Sequence, residues 1–186
     1  MNDFDFDVIV AGGGVAGLSA AVFLGRAQVR TALFDQAESS LYRVSRVNNY
    51  LGFPDGIGGR ELLELGKRQA QHAGATLFPF SVAAVAMSAD GFEVTADGKA
   101  YRAAYFVIAS NKRTDLATSL GISLGGHGSR FVAVDASGQT AVANCYGVGR
   151  ITGLPSQAII SAGNGAHVAL AIIQRIRGAY YVDHDV

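Results

Sequence analysis

The feature that most constrains this chain is a glycine turn set between two apolar strands. It reads Asp7-Val8-Ile9-Val10-Ala11-Gly12-Gly13-Gly14-Val15-Ala16-Gly17-Leu18-Ser19-Ala20-Ala21, and the unit closes on Thr31-Ala32-Leu33-Phe34-Asp35. Residues 8–10 form a short apolar run of the kind a buried strand needs. Gly12, Gly14 and Gly17 follow at the G-x-G-x-x-G spacing, and Leu18, Ala21, Val22 and Gly25 then recur at helical spacing. A helix therefore begins inside the motif. Asp35 stands 23 residues after Gly12. Glycines alone would say little, but in a strand–turn–helix–strand unit ending on an acid they mark a dinucleotide site.

Each residue type has a physical task there. Gly12 permits the tight turn, Gly14 lets a pyrophosphate approach the backbone, and Gly17 lets helix and strand close on each other. The helix N-terminus offers unpaired N–H groups and a partial positive charge to an anion. A carboxylate at Asp35 accepts from both hydroxyls of an adenosine ribose and repels a 2′-phosphate, which favours FAD or NAD over NADP.

Composition narrows the classes further. Lys+Arg and Asp+Glu both number 15, so nothing favours nucleic acid or an anionic membrane as partner. Hydrophobic residues make up 49% and charged residues 16% of 186 residues, as expected of one compact domain over 1–186. The uncharged run 8–25 has acids before it, no basic lead-in and several glycines, so the turn motif explains it better than a membrane span or signal peptide. The sole cysteine, Cys145, leaves no internal disulfide and no Cys-x-x-Cys pair. A cytoplasmic location is the expectation.

Beyond Asp35 the chain runs through a polar loop to Asn48-Asn49-Tyr50-Leu51-Gly52-Phe53-Pro54, and Gly58-Gly59 precede a helical pattern over 60–72. Residues 76–80 read as a strand extending the parallel sheet. The period then shortens: 82–87, 92–95 and 99–102 are strand-like, with Asp90-Gly91 and Asp97-Gly98 at the turns of an antiparallel meander. The apolar run 105–109 returns to the buried sheet. Residues 110–130 are glycine-rich and aperiodic, 131–135 and 144–149 are two more strands, and 157–177 is a helix. Its expected buried stripe is Ile159, Gly163, Ala166, Leu170 and Ile173, with Arg175, Arg177 and Gly178 as stop signals.

In this order the residues resemble the FAD domain of the thioredoxin reductase family of flavoproteins. The resemblance rests on 8–19, on 46–61 (with Val47-Asn48-Asn49-Tyr50-Leu51-Gly52-Phe53-Pro54-Asp55-Gly56-Ile57), on 107–111, and on 147–170, where Gln157-Ala158-Ile159-Ile160-Ser161-Ala162-Gly163-Asn164-Gly165 stands. The chain looks closest to small stand-alone members; in larger ones an NADPH domain is inserted roughly where 110–130 lies. The resemblance implies that Gly12, Gly14, Val15, Ala16 and Gly17 hold the pyrophosphate of FAD. It places Asp35, with Gln36 beside it, at the adenosine ribose, and Asn49 beside the flavin and its ribityl chain. Val82 corresponds to a backbone contact with the adenine, and Gly149 to the strand end under the ribityl phosphate. Gln157 and Ala158 begin a helix whose N–H groups point at the flavin pyrimidine edge.

The departures are specific. The family's Gly-Asp pair at the ribityl chain is Gly149-Arg150 here, and a guanidinium donates but cannot accept. The family's Ala-Thr-Gly is Ala109-Ser110-Asn111, and its Gly-Gly-Gln loop is Ser39-Ser40-Leu41-Tyr42. No second cysteine exists to form the family's redox dithiol, so this chain is not expected to work alone as a thioredoxin reductase.

Among other candidates, Cys145 lies in an apolar strand and reads as a small hydrophobe. His72, His127, His167 and His184 read as solvated or capped, and no His/Cys/Asp/Glu set has metal-ligand spacing. Arg43, Arg46, Lys112 and Arg113 are loop cations that could border the flavin. The expected fold is α/β: a Rossmann-like, mostly parallel sheet with helices on both faces and a three-stranded antiparallel meander. The expected function is an FAD-dependent oxidoreductase served by an unidentified redox protein or small-molecule reductant, with no nucleic acid or membrane partner and a homodimer left open. Two other readings stay open: a non-catalytic FAD-binding subunit of a larger complex, and an NAD-binding protein without flavin. Catalytic residues are not assigned.

Overall fold

The computed structural model describes residues 4–184, so the outermost five of the expected 1–186 domain lie outside the described residues. The elements in chain order are β1 (Phe6–Ala11), α1 (Val15–Arg26), β2 (Thr31–Phe34), a 3-10 turn (Ser40–Arg43), α2 (Gly59–His72), β3 (Thr76–Phe78), β4 (Ala84–Met87), β5 (Phe92–Ala96), β6 (Lys99–Ile108), α3 (Asp115–Ser119), β7 (Leu124–Gly125), β8 (Phe131–Val132), β9 (Cys145–Gly147), a second 3-10 turn (Gly149–Thr152) and α4 (Ala158–Arg177).

Strands β3, β2, β1 and β6 pair in that order and in parallel, and β9 adds to the second half of β6. β1 shows why this sheet is parallel and covered. Val8 and Val10 join one core cluster, Ile9 and Ala11 the other, and all four are buried. A strand buried on both faces needs apolar residues at every position. Helices α1, α2 and α4 cover the first face, while α3 and side chains of the meander close the second.

Four sequence expectations need correction. The run 99–102 and the run 105–109 are one strand, β6. Its first half pairs antiparallel with β5 and its second half parallel with β9, so the meander grows from the main sheet. Two patterns met in one element, and the change of partner hid its continuity. The stretch 110–130 is not aperiodic throughout: α3 lies within it, with Leu116 and Ala117 buried, but five residues are too few to show a period. The expected strand 131–135 shrinks to β8, which pairs only with β7, outside the main sheet. The stripe on α4 is out of phase. Ala162, Gly165, Val168, Ala169, Ile172 and Ile173 are buried, whereas Ile159 and Gly163 are exposed.

That phase has a backbone cause. A Cβ on Gly165 would fall on the Ala16 carbonyl oxygen and 2.9 Å from its carbon. α4 therefore meets the start of α1 through its small residues, and its isoleucines near that end turn outward. Two helix N-termini are thereby brought to one side of the sheet, at the carboxyl ends of β1 and β6.

Candidate functional site

At that end of the sheet lie two adjoining cavities of about 180 Å³ each, which share Gly14, Ser39, Ala109 and Asn111. One also touches Gly12, Asp35, Gln36, Val82 and Ser110; the other touches Val15, Ala16, Arg150, Gln157 and Ala158. Thirteen of the sixteen candidates, far apart in sequence, thus line one elongated cleft.

The remaining three adjoin it without lining it. Gly17 lies beneath the turn, where a Cβ would strike the Gly12 carbonyl oxygen. Gly149 adopts φ +74° and donates its N–H to Asn164 Oδ1 at 2.6 Å. Asn49 Nδ2 donates to Gln157 Oε1 at 2.9 Å, which ties the loop that precedes α2 to the start of α4.

Both helices that open on the cleft lack a side-chain cap: Gly14 precedes α1, Gln157 precedes α4, and neither bonds the first turn with its side chain. Their unpaired N–H groups are a ready anion site. Asp35 supplies the opposite need. Its Oδ2 is buried with no hydrogen-bond partner, so the carboxylate has acceptor capacity to spare. An uncapped pair of N-termini for a pyrophosphate, and a carboxylate with unused acceptor capacity for a ribose, are what an adenine dinucleotide requires. The residues present fit it, with the departures at Arg150, at Ser110-Asn111 and in the Ser39–Tyr42 loop all lying along the cleft.

Sequence reasoning missed several lining residues. Gly13 faces Asp35, and its role shows only once β2 is laid beside the turn. Ser81 reaches the cleft from a loop with no motif to announce it, while Ser156 and Ser161 lie within the 147–170 stretch but were not singled out. Of the loop cations, Lys112 and Arg113 border the cleft, whereas Arg43 and Arg46 are not among its lining residues. Arg113 is committed to Asp115 at 2.8 Å, and that hydrogen bond holds the Asp115 carboxyl below its ordinary range.

Cys145 is fully buried in β9. Burial pushes its thiol up to about 12, against the opposing effect of a hydrogen bond with Thr140. An unfolded thiol ionises near pH ~8.5. The neutral thiol therefore favours the fold most below that value, and the contribution is lost as pH rises toward the folded value. An aromatic disulfide reagent at pH 8 is expected to label no cysteine in the native protein and to label it fully after unfolding; rapid native labelling would contradict this burial.

Comparison with known proteins agrees with this geometry. The family described as glucose inhibited division protein A matches residues 7–112, more than half of the 186. The chain belongs to that family. Its cofactor is FAD, and the curated relatives it matches include thioredoxin reductases. NADPH-dependent thioredoxin reductase 3 of Arabidopsis thaliana is 33% identical over 94 residues, which cover 47% of this chain and 18% of the relative. A thioredoxin reductase of Aquifex aeolicus is 34% identical over 108 residues, covering 56% and 33%. The chain thus spans a third or less of the length of these two curated relatives. The solved structure of a thioredoxin reductase from Gloeobacter violaceus superposes with a TM-score of 0.88 at 18% identity, covering 100% of both chains. At that identity the likeness speaks for the fold. Among the described residues no helix is long and apolar enough to cross a membrane.

Proposed function

We propose that residues 1–186 form one FAD-binding domain of a cytoplasmic flavoprotein oxidoreductase whose electrons come from a diffusible reductant or a partner protein. The observation that carries this reading is the cleft itself, lined by the uncapped starts of two helices and by the Asp35 carboxylate. When bound, the flavin supplies the two-electron chemistry, and the protein positions it. The backbone of Gly14, Val15 and Ala16 would donate to the pyrophosphate. Asp35 would accept from the ribose, and the N-terminal turn of α4 would donate to the pyrimidine edge. Asn49 holds Gln157 in place by its hydrogen bond.

The external donor is tested by anaerobic stopped-flow mixing of FAD-loaded protein with millimolar NADPH. Slow reduction that rises linearly with NADPH is expected. Fast, saturable reduction would show a nucleotide site on this chain and overturn the external-donor reading. Steady-state turnover with an artificial acceptor separates an enzyme from a non-catalytic subunit.

Arg150 lines the cleft beside Gln157 and Ala158, and its Nη1 lies 3.3 Å from Ser156 Oγ, a long hydrogen bond that a phosphate oxygen would displace. Arg150→Ala is expected to weaken FAD binding by about 1.5–3 kcal/mol, the range for a hydrogen bond to a charged group. Arg150→Asp should be worse because it adds repulsion. Tighter binding in Arg150→Asp than in the parent, read by fluorescence titration, would refute the phosphate contact.

A further inference from the structure

Asp35 follows β2 with its carboxylate pressed beneath the glycine turn, where a Cβ on Gly13 would lie 2.6 Å from Oδ2. The cation near it is Lys67 of α2, with Nζ 3.7 Å from Oδ2. That separation is an ion pair but exceeds a hydrogen bond. Both side chains are mostly covered, at 9% exposure for Asp35 and 23% for Lys67. Lys67 is itself held in place. Its ammonium donates to Tyr42 Oη at 2.6 Å and stands 3.4 Å from Glu64 Oε1. Burial works against its charge, yet the hydrogen bond to Tyr42 and the charges of Glu64 and Asp35 outweigh it and raise its pKa. Tyr42 belongs to the 3-10 turn whose Ser40 and Leu41 form part of the cleft wall.

We propose that Lys67 is a positioning residue for the cofactor site: anchored on Tyr42, it holds the Asp35 carboxylate by Oδ2 and so turns the other oxygen toward the cleft. This rests on the reading of Asp35 as the ribose acceptor. Lys67 never needs to touch the cofactor for this. In the protein without cofactor it balances a charge that has no hydrogen-bond donor at Oδ2, and through Tyr42 it links that carboxylate to the 3-10 turn that lines the cleft. Sequence order hides the arrangement, since Asp35, Tyr42 and Lys67 sit on a strand end, a loop and a helix.

A double-mutant cycle with Lys67→Met, Asp35→Asn and their combination tests it in two readouts. The first is the urea midpoint of the cofactor-free protein. Lys67→Met should lower the midpoint in the parent and lower it much less in the Asp35→Asn background, because the carboxylate that needs the cation is gone. The second is the FAD dissociation constant. Lys67→Met should raise it about tenfold in the parent and less than about twofold beside Asp35→Asn, the coupling expected of residues in contact. Lys67→Arg, which keeps the charge, should retain most of the affinity even if the methionine variant folds poorly. Equal effects of Lys67→Met in both backgrounds would overturn the proposal and leave Lys67 as a support for Tyr42 only. Coupling in stability without coupling in affinity would also overturn it. A coupled urea midpoint in a parent protein that binds no FAD would instead defeat the ribose reading of Asp35, and the positioning role with it, while leaving the ion pair established.

Discussion

Gly165→Ala is expected to destabilise the protein, the opposite of what helix propensity alone gives. In an exposed helix interior, alanine is more favourable than glycine by about 1 kcal/mol. At Gly165, however, the added methyl would meet the Ala16 carbonyl group, whose carbon would stand 2.9 Å from it. The obstacle is backbone at the start of α1, so no rotamer change relieves it. α1 and α4 must separate, and overpacking of a close-packed interior costs about 1–3 kcal/mol and sometimes more. Backbone cannot yield as a side chain would, so packing wins, with a net loss of up to about 2 kcal/mol in urea unfolding. Because the two helices carry Gly14, Val15 and Gln157, Ala158 into the cleft, FAD affinity should fall as well. A variant more stable than the parent would show that the helices cross elsewhere.

Asp35→Ala is expected to weaken FAD binding at least tenfold with the fold retained. The carboxylate lines the cleft, and its Oδ2 has no hydrogen-bond partner within the protein. Hydrogen bonds to a charged acceptor are worth about 1.5–3 kcal/mol each, and a factor of ten is about 1.4 kcal/mol. One lost bond already reaches that factor. The substitution also removes a buried charge, so the cofactor-free protein should not lose stability in proportion. Isothermal titration together with an unchanged far-ultraviolet circular dichroism spectrum checks both halves. An unaltered dissociation constant would reduce Asp35 to a strand terminator.

Much of this was legible from the sequence because local rules and tertiary structure agree there. The turn at Gly12 to Gly17 joins a strand to the helix that follows it directly, so its spacing announced it, although Ala109 and Asp35 also press on its glycines. Val8 to Val10 and the run at the end of β6 are apolar at every position because both faces of the sheet are covered. The misreadings arose where a distant backbone decides. The buried face of α4 is set by Ala16, some 150 residues earlier in the chain, and no periodicity within α4 records that neighbour. β6 changes partner midway, so one strand carried two patterns. Lys67 escaped notice for the same reason: a lysine on an amphipathic helix reads as solvated until β2 is laid beside α2.

The central claim, that the cleft between the starts of α1 and α4 holds FAD, is tested most directly by the absorption spectrum of the purified protein and by the cofactor it releases. The spectrum should show the two visible bands of oxidised flavin, in the as-purified protein or after addition of FAD and gel filtration. Heat denaturation should release FAD, identified by chromatography, in a ratio approaching one per chain, and Asp35→Ala should carry less. Protein that is colourless and emerges colourless after incubation with excess FAD would contradict the claim.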